Sequence, residues 1–372
     1  MASSIDSPME RPAKNASCDL DRFASGRFAI AGLPGAIAGL MGAIVATLVV
    51  GNDFASAQEI ATAKQTVASA RTQTEPIQLT QREGKVVATV GDSPFTEYVY
   101  QGHAKPIFFP VIGPHDIAMT RSYPMIKEVD NEASDHPHHK SLWFTHDDVN
   151  GVRFWIEYDK NNEAIYGKIV QTKGEIDGDT FRSENQWRSP DGQVVCSDSR
   201  EIRFGADDDA RFIDIAITLR ATHGDAVFGD TKEGSMGIRT NPLLRLENDK
   251  KRGNHTAKGQ SINSEGVEGK AMWGKRAKWV DYWAPIDGNT VGVAIMDHPS
   301  NPRHPTWWHA RQYGLVAANP FGIHDFEKKP AGTGDLTIKD GENVTFRYRF
   351  VFHNGDVKQA NVADRYQAFA NQ

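Results

Sequence analysis

The sequence predicts an all-β protein, a large antiparallel β-sandwich with one C-terminal helix. Three observations predict it. Apolar and polar residues alternate with period two along much of the chain after residue 75, which is the pattern of half-buried strands. Turns rich in Gly, Asp and Asn separate these runs at short spacing, at 91–92, 177–179, 191–192, 287–289 and 340–341. One stretch alone, residues 357–370 (VKQANVADRYQAFA), has helical spacing, through Val362, Tyr366 and Phe369.

Taken in order, residues 85–90, 95–101, 167–172 and 194–204 are the first strand candidates. Residues 211–221 (RFIDIAITLRA) place Ile213, Ile215, Ile217 and Leu219 on one face, because side chains two apart along a strand point the same way. Residues 279–283 and 290–296 follow. Residues 343–353 (NVTFRYRFVFH) set Val344, Phe346, Tyr348, Phe350 and Phe352 against Thr345, Arg347, Arg349 and His353. The terminal helix then caps an edge of the sheet. There is no βαβ rhythm and no glycine-rich phosphate loop, which excludes a nucleotide-binding α/β enzyme.

The first 57 residues have a different character. An apolar run at 28–50 follows Arg22 and Arg27 and precedes Ala55-Ser56-Ala57, the small-x-small form that a signal peptidase reads. The expectation is cleavage after Ala57 and export to the periplasm or beyond. The alternative is a retained N-terminal membrane anchor, since the run is long enough to cross a bilayer; Pro34-Gly35 inside it weakens a stable helix. Residues 58–75 read as a polar linker and 76–372 as a single β-sandwich domain. Of the two cysteines, cleavage leaves Cys196 alone, so the domain has no internal disulfide and no thiolate metal cluster. A net charge of -6 without a long basic run excludes nucleic acid, and it excludes an anionic membrane surface unless the N-terminal segment is retained.

Three segments carry the chemistry. Residues 135–155 (DHPHHKSLWFTHDDVNGVRFW) bring His136, His138, His139 and His146 close in sequence. Imidazoles serve as acids or bases near neutral pH, or as metal ligands; His136 and His138 are the candidate ligands, for a divalent metal. Residues 229–239 (GDTKEGSMGIR) read as an irregular, accessible segment in which glycines at 229, 234 and 237 expose Lys232, Glu233 and Arg239. The third segment joins 273–283 (WGKRAKWVDYW) to 297–322 (DHPSNPRHPTWWHARQYGLVAANPFG). Here Trp273 and Trp308 offer platforms for the apolar faces of sugars. Lys275, Arg276, Asp281, His298, Asn301, Arg303, His309, Arg311 and Tyr313 offer hydrogen bonds, and guanidinium forks suit carboxylates such as uronates.

Through these strings the chain resembles a family of uncharacterised secreted bacterial proteins labelled PmoA-like, or "methane oxygenase", over nearly all of residues 76–372. The label is not an activity for this chain, whose single apolar run is followed by a β pattern rather than several membrane spans. The architecture also looks like the galactose-mutarotase type of β-supersandwich. That resemblance implies a histidine acid paired with a carboxylate base across a sugar ring: His139, His146 or His309 as acid, Glu233 or Asp281 as base. The function expected is an exported carbohydrate-active enzyme, an epimerase, lyase or hydrolase working by general acid–base chemistry on a sugar or uronate. The alternatives are a metal hydrolase or oxygenase using His136 and His138, and a non-catalytic glycan-binding module.

Overall fold

Strand β11 (Ala210–Arg220) turns alternation into architecture. Its Ile213, Ile215, Ile217 and Leu219 are buried, and the residues between them are half-exposed. Burying each such side chain contributes roughly 1.5–3 kcal/mol. The computed structural model describes residues 76–129, 132–157, 165–248 and 257–372. The chain divides into two units, Met1–Ser69 and Ala70–Gln372. The predicted signal segment or anchor, its cleavage site and the linker lie outside the described residues.

Within the second unit two eight-stranded antiparallel sheets face each other. The first runs β1 (Ile77–Arg82), β2 (Lys85–Val90), β3 (Ser93–Val99), β4 (Ile107–Val111), β5 (Leu142–His146), β13 (Gly234–Arg239), β18 (Leu315–Asn319), β17 (Trp307–Ala310). The second runs β14 (Gln260–Asn263), β15 (Trp279–Ile286), β16 (Asn289–Asp297), β20 (Asn343–Asn354), β11, β10 (Val194–Ala206), β9 (Thr180–Arg188), β8 (Lys168–Asp177). A small sheet of β19 (Leu336–Ile338), β12 (Ala226–Phe228), β6 (Asp148–Val149) and β7 (Val152–Arg153) stands beside them. The main core lies between the large sheets. Phe95 of β3 meets Phe204 and Phe352 of the opposite sheet edge-on, at 6.1 and 6.2 Å.

Two short helices complete the unit among the described residues, α1 (Ile323–Glu327) and α2 (Val362–Ala370). The terminal helix is shorter than its pattern predicts. Asn361 takes a left-handed conformation at φ 50°, and Asp356 holds the amides of Lys358 and Gln359 in a turn, so the helix begins only at Val362. Its Val362, Tyr366 and Phe369 cover Ala294, Met296 and Val351 on the outer face of the second sheet.

On that same outer face lies a buried ion pair. Asp281 Oδ1 is 2.9 Å from His353 Nε2, and neither side chain is exposed. Burial opposes the imidazolium, but the charge and hydrogen bond of Asp281 outweigh it and raise the His353 pKa above 6.5. A raised folded-state pKa gives stability that is complete below the unfolded value and lost as pH rises through the folded one. The melting temperature should therefore fall through this window, and His353→Gln should flatten the fall. Equal pH dependence in the two proteins would remove this pair from the account.

Candidate active site

The central strands of the first sheet place alternate rows of side chains on opposite faces. Phe144, Met236, Ala318 and Trp308 lie side by side across β5, β13, β18 and β17 and enter the core. The adjacent row, Trp143, Gly237, Ala317 and His309, occupies the outer face. Gly237 is required there by space. A Cβ would sit 3.0 Å from Trp143 Cζ2 and 3.3 Å from Trp155 Cη2, so the missing side chain lets both indoles rest on the strand. Strand β13 is thus a fully buried central strand over Gly234–Arg239, where its glycines predict an accessible loop.

Above this row the 132–141 loop builds a stack of rings. Tyr313 stacks on His136 at 5.3 Å, His136 on His139 at 4.8 Å, and His139 on Trp143 at 5.5 Å, with interplanar angles of 14° or less. Arg121 organises the loop, donating to the carbonyls of Ala133, Asp135, His136 and His139. His136 and Ser141 take left-handed conformations in it, at φ 45° and 59°. For residues with a Cβ that conformation costs on the order of 1 kcal/mol each.

Asp135 is the hub. Its Oδ1 accepts from Arg121 at 2.7 Å and from Arg239 at 2.9 Å, and its Oδ2 lies 2.6 Å from His136 Nδ1. Burial pulls the Asp135 pKa up, but the His136 hydrogen bond and the two guanidinium charges hold it well below the usual carboxylate range. The contact of Asp135 with Nδ1 fixes the orientation of the His136 ring. It is 31% exposed, whereas His139 behind it is buried. Burial first, and then neighbouring charges, push the His139 pKa well below 6.5. Arg239 Nη1 lies 3.3 Å from His139 Nδ1, which leaves the proton on a buried Nε2 without a partner among the described residues.

A carboxyl group lies within electrostatic range of His136. Glu233, 26% exposed, precedes β13, and its carbonyl accepts the Asp147 amide at 2.9 Å. Burial raises its pKa above the ordinary 4.5; Lys232 opposes the rise, Asp147 adds to it, and His136 opposes it when protonated. Lys232 Nζ is 3.6 Å from Glu233 and 3.9 Å from Asp325. His309 donates from Nδ1 to the Lys232 carbonyl at 2.8 Å, which fixes the backbone beside Glu233. Burial pushes the His309 pKa down to about 4, so the ring is neutral at physiological pH. Trp273, half-buried, meets Phe326 edge-on at 5.5 Å with His309 beside it. Arg239 and Arg311 lie 4.6 and 5.7 Å from the centre of the Tyr313 ring.

All three chemical segments thus contribute to one cluster: His136 and His139, Lys232 with Glu233 and Arg239, and His309, Arg311 and Tyr313. Other candidates go elsewhere. His146 is on the core face of β5, between Phe228 and Phe321, with Nε2 on the Gly229 carbonyl at 2.7 Å. Trp308 is also buried in the core and donates to the Ala277 carbonyl. Asp281 lies in the second sheet, paired to His353. The 297–306 loop is braced internally. Asn301 bonds Asp297 and the Arg347 backbone, Arg303 donates to the carbonyls of Pro320, Gly334 and Asp335, and Arg276 donates to those of Arg303, His304 and Pro305. His298 bonds Ser300 and packs on Phe369, and Lys275 is exposed. His138 is pushed down to about 3, first by burial and then by Lys105. Among the described residues no group of three or more His, Cys, Asp or Glu converges as a metal site. Sequence reasoning missed Asp135 and Arg121. The Asp-His pair at 135–136 is a usable signal for the first; Arg121, fourteen positions upstream, gives none.

Among solved structures the chain is similar to an α-galactosidase from Lactobacillus brevis, with 10% identity, a TM-score of 0.33, and 76% of this chain and 40% of that chain covered. It thus spans about two fifths of that enzyme's length. It is also similar to a galactose mutarotase related enzyme from Lactobacillus acidophilus, with 9% identity, a TM-score of 0.30, and coverage of 74% and 97%. No curated protein matches it. Against the expectation from its motifs, no PmoA-like family model matches either. The model that does match covers residues 85–367, and the chain belongs to that family, the family of unknown function DUF6807.

Proposed function

We propose that this protein is a carbohydrate-active enzyme whose acid–base pair is His136 and Glu233. One observation carries the reading: a partly exposed imidazole oriented by a half-buried carboxylate lies in electrostatic reach of a carboxyl whose pKa is raised. The two groups have opposite aptitudes. Asp135 holds the Nδ1 proton of His136, so Nε2 accepts a proton from a substrate group. Glu233 retains its proton to higher pH than an exposed carboxyl and donates it to a second substrate oxygen. Each positioned group typically contributes roughly 10²–10⁴-fold.

The surroundings suit a sugar. Trp273 offers an apolar surface at the rim, and Lys232, Arg311 and Tyr313 offer hydrogen bonds. His139 and His309 are positioning residues in this reading. The first stacks beneath His136, and the second ties down the backbone next to Glu233. The test is turnover of a panel of aldoses, uronates and their glycosides, followed by NMR. Conversion of at least one is expected. A well-folded protein that converts none of them would end the enzyme reading.

A further inference from the structure

We infer that the sugar acted on at this site carries a carboxylate and that Arg311 holds it. The inference rests on the reading above and names its substrate class. Several cations around the cluster are matched by acids. Arg121 and Arg239 share Asp135, Arg153 pairs with Asp147, Lys105 and Lys140 pair with Glu157, and Lys232 lies between Glu233 and Asp325. Arg311 has no carboxylate partner among the described residues; its guanidinium lies over the Tyr313 ring, 5.7 Å from the centre.

The position of Arg311 is suited to a ligand rather than to the fold. It follows the end of β17, two residues beyond His309, and is only partly buried. A planar fork of donors matches the two oxygens of a carboxylate. The nearby acids, Glu233, Asp135 and Asp325, already have cations or backbone amides of their own. A partly desolvated cation without a counter-charge is costly, and an incoming carboxylate removes that cost. It would also place negative charge near Glu233, which favours the proton-donating form that the acid role needs.

The experiment is calorimetric titration of the full chain with galacturonate against galactose, and glucuronate against glucose, for wild type, Arg311→Gln and Arg311→Lys. A uronate should bind about 10–100-fold more tightly than its neutral counterpart, the range expected for charge-assisted hydrogen bonds. Arg311→Gln should erase that preference, and Arg311→Lys, which keeps the charge but not the fork, should retain part of it. Equal binding of acid and neutral sugars, or a preference that survives Arg311→Gln, would overturn the inference and leave the sugar reading standing. Binding of none of the four by a folded protein would overturn both.

Discussion

Glu233→Gln is expected to lower kcat by about 10²–10⁴-fold on the sugar that the wild type converts, with a much smaller change in KM. The amide keeps the size and hydrogen-bonding reach of the carboxyl and loses only the exchangeable proton. The pH profile supplies a second readout. If the protonated form of Glu233 is the donor, kcat in the wild type falls as pH rises through its raised pKa. That limb should be absent in Glu233→Gln. A variant with undiminished kcat, or with the same limb, would remove Glu233 from the chemistry. The prediction discriminates against a glycan-binding module as well, since a module has no kcat to lose.

The largest expected loss of stability is in the core between the sheets. Asp198 accepts from Asn185 at 2.6 Å, from Trp187 at 2.7 Å, and from Arg200 at 3.0 and 3.1 Å. The Asp198 and Arg200 side chains are 2% exposed or less. Every acceptor position on the carboxylate is occupied, so the pair is tolerated inside an apolar sandwich. Arg200→Met leaves the buried carboxyl group of Asp198 without its cation in that interior. The cost should be about 3–5 kcal/mol, read as a lower denaturant midpoint at unchanged slope. Replacing both partners with apolar residues should cost less than replacing Arg200 alone, because no orphaned charge remains. A single variant within about 1 kcal/mol of wild type would contradict this.

Where one face of a strand is buried and the other is wet, the architecture was legible. β11 and β20 were found by alternation at nearly their observed bounds. The strands that build the site were not. β5, β13, β17 and β18 are buried on both faces, so LWFTH, GSMGIR, WWHA and LVAAN contain no alternation to read. Their glycines and tryptophans imitate a loop and a binding platform.

The candidate site was legible as three segments but not as a constellation. Parity decides which side chains meet: His146 enters the core because it shares a face with Phe144, while the loop histidines lie over Trp143 on the other side. Composition also cannot separate an arginine that braces carbonyls, as Arg276 and Arg303 do, from one without a carboxylate partner among the described residues, as Arg311 is. Asp135 illustrates the reverse failure. Its importance comes from Arg239, more than a hundred residues away in sequence, and nothing local announces that contact.

The central claim is that His136, oriented by Asp135, exchanges the proton with substrate. The most direct measurement compares wild type and His136→Asn on the same sugar, with NMR following conversion and melting temperature confirming the fold. The account predicts a loss of about 10²–10⁴-fold in kcat with the fold intact. Equal conversion by the two folded proteins would contradict it.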